Sequence, residues 1–265
     1  MIEYADGTML SEIEEGVGLI TFNQPQKRNA MSIGMWGGLL QILDAFETDP
    51  RVRAVVLTGA GNRAFVSGAD VSEFAQSRSD ADAQREYERL TSRGCARLAA
   101  FPKPTIARIR GYCLGAGLDI AMQCDLRIAG IDSAFGMPGA SLGMAYGLDI
   151  VGKLVSLVGE ANARMLLFTG SRIDGEEAQR IGLVHRVVED EELSERVVDL
   201  VRLIADNAPL SLSAMKLAVA EATKEATERD RARVEQAIDA CFDSEDYAEG
   251  RTAFLEKRPP RFRGR

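Results

Sequence analysis

The sequence predicts an α/β fold followed by a helical C-terminal region. Segments with the composition of strands alternate with segments of helical periodicity through roughly the first 190 of the 265 residues. Two glycine-rich turns each stand between a strand and a helix, which places a site at strand ends and helix N-termini. Beyond that point only helical patterns remain. We therefore expect a core over 1–190 and a helical region over 191–265 that packs on the core or on a neighbouring subunit.

The N-terminal part supplies a first strand and a first helix. Val17–Phe22 is predicted as a strand, and the charged segment 23–28 as a loop. Ser32 is a candidate N-cap for a helix whose apolar residues recur at i, i+3 and i+4 until Pro50 ends the pattern. Residues 54–57, AVVL, have the β-branched composition of a buried strand.

Further elements follow from the same criteria. The polar segment 72–83 is predicted to be a mobile surface segment. Strands are predicted over 105–109 and 126–129, and helices over 84–100, 150–158, 191–204, 211–220 and 221–242.

Composition excludes several classes of function. The 46% hydrophobic content supports a packed core, and 32 basic against 40 acidic residues give a net charge of −8. This balance argues against a nucleic-acid-binding or membrane-binding surface, so we expect neither partner. The N-terminal residues lack the pattern of a signal peptide, and no apolar run approaches the ~20 residues of a membrane span. We expect a cytoplasmic protein.

The four cysteines do not form a metal-binding or redox pattern. Cys95, Cys113, Cys124 and Cys241 include no CxxC pair and no Cys/His cluster with zinc spacing. We therefore expect no metal site and interpret the cysteines as buried free thiols.

Two loops have the composition of an oxyanion-binding site. Ala64–Asp70 reads AFVSGAD and Gly111–Asp119 reads GYCLGAGLD, and their small residues allow backbone N–H groups to approach a ligand. The second loop opens a helix, whose first amides have no intrahelical partner. Two such N–H groups on one oxygen would form an oxyanion hole. Tight packing alone also explains such glycines, whereas a dinucleotide site does not fit because GxGxxG is absent.

Five segments in order resemble the crotonase, or enoyl-CoA hydratase/isomerase, superfamily. They read AFVSGAD at 64–70, GYCLGAGLDIAMQCDLRIA at 111–129, FGMP with LG at 135–143, LLFTGSRIDGEEAQRIGLVHRVV at 166–188 and EGRTAFLEKRPPRF at 249–262. The resemblance implies the crotonase (ClpP/crotonase-like) fold, in which repeated ββα units precede a helical trimerisation region. It also implies assembly as a homotrimer or a dimer of trimers.

The resemblance further implies an acyl-CoA substrate and a set of binding residues. The thioester carbonyl would accept hydrogen bonds from the N–H groups of Ala69 and Ala116. Coenzyme A belongs to the substrate, so no separate cofactor is implied. The residues implied in binding it are Lys27, Arg28, Ser67, Gly68 and Lys257, the last from the same chain or from a neighbouring subunit.

The pattern departs from that of the hydratases, which use two catalytic glutamates. Asp119 stands at the first position, where it either acts as a base, favoured in its ionised form by the helix N-terminus, or caps its own first turn. Gly139 stands at the second position and has no side chain. The usual two-carboxylate mechanism therefore cannot operate, and we expect poor hydratase activity.

Tyr146 offers a different chemistry. The LGxxY pattern at 142–146 resembles the methylmalonyl-CoA decarboxylases of the same superfamily, in which loss of CO₂ itself creates the enolate. Tyr146 is a catalytic candidate that could equally be a core residue. The alternatives to a hydratase-like enzyme are thus a decarboxylase of a malonyl-type CoA thioester and a non-catalytic acyl-CoA-binding oligomer.

Three other polar positions are given structural roles. Asp149 is either a second acid or a cap of the following helix, and the capping role is favoured. His185, the only histidine, has no nucleophile motif to partner it and is assigned no catalysis. Asp125 and Arg127 are expected to form a charge pair that supports the fold.

Overall fold

A computed structural model describes residues 1–73 and 81–265. The strands are β1 (Ile2–Tyr4), β2 (Met9–Glu14), β3 (Val17–Phe22), β4 (Ala54–Gly59), β5 (Ala64–Val66), β6 (Thr105–Ile109), β7 (Tyr112–Leu114), β8 (Leu126–Gly130), β9 (Ala134–Gly136) and β10 (Arg186–Val188). The helices are α1 (Ile33–Thr48), α2 (Ala81–Ala99), α3 (Ala116–Gln123), α4 (Leu148–Thr169), α5 (Gly175–Arg180), α6 (Leu193–Ala205), α7 (Pro209–Ala222), α8 (Arg231–Phe242) and α9 (Glu245–Glu256). Short 3₁₀ turns cover Pro25–Lys27, Val71–Glu73 and Pro138–Leu142.

The strands form two sheets. Seven of them lie in the order β1-β2-β3-β4-β6-β8-β10, in which the first three are antiparallel and the others parallel. The three-residue strands β5, β7 and β9 form a second, parallel sheet. A ββα unit, made of one strand from each sheet and a helix, occurs three times in the chain. The three units are β4-β5-α2, β6-β7-α3 and β8-β9-α4. The α/β fold with repeated ββα units is therefore confirmed.

The larger sheet is covered on both faces, as a parallel sheet requires. Val55 and Leu57 of β4 enter the main core, which includes Trp36 of α1. The alternate residues Ala54 and Val56 face the other way and pack on α6. The sheet is therefore a rigid base beneath the loops at its strand ends.

Several predicted boundaries need correction. The helix expected over 150–158 begins at Leu148 and runs to Thr169, with a break at Gly159, where φ is +75°. Its N-cap is Gly147, so the expected capping role of Asp149 is wrong, and Asp149 lies in the first turn instead. The helix expected over 221–242 is divided into the end of α7, a turn and α8. Of the predicted surface segment 72–83, residues 74–80 lie outside the described residues.

Three structural roles are settled by contacts. The expected Asp125–Arg127 pair is wrong, because Asp125 pairs with Lys216 at 2.7 Å. Buried Arg127 instead donates to backbone carbonyls, including that of Leu183 at 2.8 Å. His185 Nδ1 accepts the backbone N–H of Arg127 at 3.1 Å, which ties β8 to the segment before β10.

The cysteines are free thiols, as expected. Three are buried, whereas Cys241 is partly exposed. Within the described ranges, none of the helices combines the length and apolar character needed to cross a bilayer.

Candidate active site

The two glycine-rich loops meet at the edge of the smaller sheet. A methyl group placed on Gly115 would lie 3.8 Å from Gly68 Cα, so the segments Gly68–Ala69 and Gly115–Ala116 are neighbours. The sequence predicted that both loops contribute to one site, and the fold brings them together because β5 and β7 pair directly before them.

Hydrogen bonds orient the Ala69 amide. Met31 N–H donates to Gly68 O at 2.8 Å, and Asp70 N–H donates to Met31 O at 2.8 Å, which forms a parallel bridge between Met31 and Ala69. In such a bridge the amide of the middle residue is directed away from the partner strand. The Ala69 N–H therefore points away from Met31, and it donates no hydrogen bond within the described part of the chain.

The start of α3 exposes the second amide. Gly115 is the N-cap with φ +50°, and its N–H donates to Gly136 O at 3.0 Å. A methyl on Gly117 would lie only 2.1 Å from Val66 O, so α3 begins in close contact with β5. Ala116 has a negative φ as the first helical residue, which an alanine adopts without strain. Across residues 1–73 and 81–265 its N–H has no hydrogen-bond acceptor, as expected at a helix start.

The early loop is bound to the first of these segments. Lys27 Nζ donates to Asp70 Oδ2 at 2.6 Å and to Ser72 Oγ at 3.2 Å. Burial raises the pKa of Asp70, but hydrogen bonds from Lys27 and Ser72 and the charge of Lys27 outweigh burial and place that pKa below its ordinary value. The Lys27 ammonium therefore has partners within its own chain.

Arg28 makes the second connection. Its carbonyl accepts the N–H of Ser67 at 3.1 Å, and its guanidinium lies over the ring of Tyr112, 5.3 Å from the centroid. The guanidinium of Arg172 lies over the same ring, at 5.0 Å. The structure thus groups four of the five predicted CoA-binding residues, which are Lys27, Arg28, Ser67 and Gly68.

Lys257 lies apart from that group. It ends α9 with φ +55° and an exposed side chain. No hydrogen bond or ion pair in the described chain connects it to the early loop. Its role in CoA binding stays a prediction.

Asn29 is a site-forming residue that sequence reasoning missed. Its side chain is fully buried, accepts the N–H of Gln24 at 2.9 Å and donates to the carbonyls of Ala60 and Ala64 at 3.0 and 2.8 Å. It fixes the early loop to the turn between β4 and β5 and to the first residue of β5. A buried polar residue in a loop is recognisable only from its partners, because a loop asparagine is ordinarily exposed.

Asp119 is buried between α2 and α3, with 4% of its surface exposed. Its Oδ2 accepts the thiol of Cys95 at 3.2 Å, and its Oδ1 accepts Gln123 Nε2 at 3.0 Å. The side chain does not cap its own turn, so that expectation is wrong. Burial raises the pKa of Asp119, and the nearby charge of Asp149 raises it further, although the two hydrogen bonds act in the opposite direction. Burial therefore opposes the ionised form that the helix N-terminus was expected to favour.

Tyr146 occupies the space beside Gly139. A methyl on Gly139 would lie 2.7 Å from Cε2 and 2.9 Å from Cζ of the Tyr146 ring. The N–H of Gly139 donates to Tyr146 Oη at 2.9 Å, and Gly139 O accepts the N–H of Met144 at 2.9 Å. The tyrosine ring thus takes the volume that a side chain at position 139 would need.

A cavity of about 930 Å³ connects these groups. Its walls come from α2, from the start of α3 and from the segment 142–150. Among the residues that line it are Gly115, Ala116, Asp119, Tyr146, Tyr87 and Glu88. Three of the four predicted catalytic residues therefore line one cavity, and Ala69 adjoins it through the contact of Gly68 with Gly115. A volume of this size accommodates a small organic ligand.

Comparison with known proteins decides the family. The sequence profile described as enoyl-CoA hydratase/isomerase matches residues 12–265. The chain belongs to the enoyl-CoA hydratase/isomerase family. It is 36% identical to the short-chain-enoyl-CoA hydratase of Clostridium acetobutylicum, over 94% of this chain and 95% of the relative. It is 35% identical to the crotonyl-CoA hydratase of Syntrophomonas wolfei, over 96% and 97% of the two chains.

Solved structures of enoyl-CoA hydratase/isomerase family members have the same fold. An enoyl-CoA hydratase/carnithine racemase from Magnetospirillum magneticum superposes with a TM-score of 0.91 at 32% identity, covering 97% of this chain and 96% of that one. The crotonase fold and an enzyme of this acyl-CoA family, as the sequence predicted, are thereby confirmed.

Proposed function

We propose that this enzyme stabilises the enolate of an acyl-CoA thioester with the N–H groups of Ala69 and Ala116. The observation that supports the proposal is that the segments Gly68–Ala69 and Gly115–Ala116 are neighbours and that neither alanine N–H has an acceptor in the described chain. Ala116 lines the 930 Å³ cavity, so a thioester carbonyl placed there meets a donor whose hydrogen bond strengthens as negative charge develops.

Coenzyme A is proposed to lie along the early loop. Lys27 and Arg28 are basic residues of this loop, and the Ser67–Gly68 backbone lies next to them. Cationic side chains recognise phosphates as point charges or as planar forks. Lys257 would add a further cation from a neighbouring subunit.

The proposed acid is Asp119. It lies one helical turn after Ala116 and lines the same cavity. Burial raises its pKa above the ordinary carboxyl value, a shift in the direction that suits a group giving a proton to the α-carbon of an enolate. With Gly139 at the second glutamate position, hydration by two carboxylates is not the reaction that this site favours.

A second candidate reaction, decarboxylation of a malonyl-type CoA thioester, is favoured by Tyr146. In this reaction the bond between the α-carbon and the carboxylate breaks, CO₂ leaves, and the electron pair enters the enolate. Asp119 then gives its proton to the α-carbon. The tyrosine, held at 2.9 Å from Gly139 N, borders the cavity where the departing carboxylate would lie.

Steady-state assays with crotonyl-CoA and methylmalonyl-CoA test the proposal, using Ala116→Pro as the key variant. Proline suits the first position of a helix but has no N–H, so this substitution removes the donor while keeping the helix start. We expect turnover to fall by about 10²–10³-fold. Ala116→Gly keeps the N–H and serves as the matched control.

Each outcome has a definite meaning. Unchanged turnover by a folded Ala116→Pro variant would contradict the oxyanion hole. Efficient hydration of crotonyl-CoA would contradict the role given to Gly139. Tight binding of both thioesters without any turnover would instead support a non-catalytic acyl-CoA-binding protein.

A further inference from the structure

A second cavity lies behind Asp119. It has a volume of about 450 Å³ and shares Ser92, Asp119, Asp149 and Ile150 with the larger cavity. Its remaining walls come from α2, α3, α4 and the turn after α7. The lining residues that only this cavity has are Cys95, Ala96, Gln123, Gly152, Lys153, Ser156 and Thr223.

The hydrogen-bond donors to the carboxyl group of Asp119 lie at this second cavity. Cys95 and Gln123, which donate to its two oxygens, line the second cavity and do not line the larger one. Asp119 therefore stands at the boundary, with one cavity on the side of Ala116 and the other on the side of its hydrogen-bond donors.

The proposed chemistry needs a proton supply at this position. If Asp119 gives its proton to the α-carbon after CO₂ has left, the reaction consumes one proton per turnover, and the carboxylate must be protonated again. A bound thioester fills the larger cavity next to Ala116 and blocks water on that side. The proton must then reach Asp119 from elsewhere.

We propose that the second cavity is the route by which solvent protons return to Asp119. This inference rests on the proposed function. Hydroxyl, amide and ammonium groups contribute to the lining, from Ser92, Gln123, Lys153, Ser156 and Thr223. Polar walls of this kind hold water, and the volume exceeds many times the ~30 Å³ that one water occupies in the liquid.

Cys95 and Gln123 are positioning residues in this arrangement. They hold both carboxyl oxygens in place without touching the larger cavity. A water in the second cavity protonates the carboxylate by breaking its own O–H bond, and the hydroxide that remains is neutralised by the solvent beyond.

The route is tested by closing it from two different helices. Ala96 is exposed on α2 at the second cavity, and Ala96→Phe would place a ring across it. Ser156→Leu closes the cavity from α4, where the serine hydroxyl donates to Lys153 O of its own helix and to no other group among the described residues. Ala99→Phe is the matched control, because Ala99 is exposed on the same helix and does not line the cavity.

The readouts are kcat, KM and the solvent deuterium isotope effect on kcat, measured with methylmalonyl-CoA, whose decarboxylation consumes the proton. Wild-type turnover of crotonyl-CoA alone would overturn the proton route, because hydration consumes no net proton. We expect kcat to fall about tenfold or more in a closed variant, with a larger isotope effect and an unchanged KM, because proton return becomes rate-limiting. The control should match the wild type.

The alternative outcomes separate this inference from the proposed function. If both folded variants had the kcat and isotope effect of the wild type, the proton route would be overturned and the proposed function would stay intact. A change in KM alone would have the same meaning. If the wild-type enzyme turned over neither methylmalonyl-CoA nor crotonyl-CoA, the proposed function itself would be overturned.

Discussion

At the scale of single residues, the environment of Asp119 has a consequence for stability. Burial holds its pKa above the ordinary carboxyl value in the folded chain. Above pH ~4 the unfolded chain begins to release this proton while the folded chain keeps it. The folded state then binds more protons than the unfolded state, so the contribution of Asp119 to the free energy of unfolding decreases as pH rises towards the raised pKa.

Asp119→Asn should remove this pH dependence. The amide keeps the shape of the carboxyl group but does not titrate. We expect the free energy of unfolding of the variant, relative to the wild type, to increase between pH 4 and 7. Urea denaturation at several pH values measures the difference, with the exposed Asp239→Asn on α8 as control. Parallel pH profiles for wild type and Asp119→Asn would contradict the raised pKa.

At the scale of elements, the 3₁₀ turn Pro138–Leu142 and the segment after it form one packed unit. Tyr146 folds back over Gly139 and accepts its N–H at 2.9 Å. A side chain at position 139 and the tyrosine ring compete for the same space, since a methyl there would lie 2.7 Å from the ring. The packing of the whole segment therefore requires a glycine at position 139 as long as Tyr146 occupies this space.

Gly139→Glu alone should destabilise the protein without restoring hydration. Inserting a side chain into a packed region costs about 1–3 kcal/mol, and the ring blocks the carboxylate from the cavity. Gly139→Glu combined with Tyr146→Ala should recover that stability and raise crotonyl-CoA hydration about tenfold or more above Tyr146→Ala alone. Thermal unfolding and steady-state hydration measure both effects. A fully stable, active single variant would show that the two side chains do not compete.

The same scale shows what the sequence could predict. The bounds of Val17–Phe22 and Thr105–Ile109 agree with β3 and β6, because each run is long enough to show its composition. The three-residue strands β5, β7 and β9 were not predicted, since three residues show no periodicity. Yet these strands place the two glycine-rich loops, the proposed oxyanion-binding loops, side by side.

The site was predictable to the same degree. The motifs around Ala69 and Ala116 predicted the positions of the two amides. This was possible because the glycines that such loops need are neighbours in the sequence. The burial of Asp119 was not predictable, because its partner Cys95 lies on α2, 24 residues away. The contact of Tyr146 with Gly139 depends on how the intervening turn closes.

At the scale of the whole molecule, the C-terminal helices carry large exposed apolar side chains. Phe254 and Leu255 of α9 are 84% and 81% exposed. Others of this kind on α6–α9 are Val198, Leu203, Met215, Val219, Ile238, Phe242 and Tyr247. An accumulation of large exposed apolar side chains is typical of a surface that contacts another protein. The homotrimer or dimer of trimers stays a prediction.

Phe254→Glu should weaken that assembly. We expect the wild-type protein to have a mass in solution of three or six times the 28.8 kDa chain, and the variant to dissociate at micromolar concentration. A charge in a desolvated apolar contact lacks a partner and opposes association. Light scattering coupled to size-exclusion chromatography measures the masses, with Ile2→Glu, exposed on β1 at the other end of the chain, as control. A wild-type monomer would contradict the expectation.

The packing of Tyr146 on Gly139 also restricts how this lineage can change by mutation. A glutamate gained first meets the ring, so selection acts against that intermediate, whereas loss of the tyrosine first leaves room for it. The two positions are thus epistatic, and the order of substitution decides which ancestors and descendants are accessible. Homologues of this chain should accordingly carry either a glycine with a tyrosine or a glutamate with a smaller residue at these two positions.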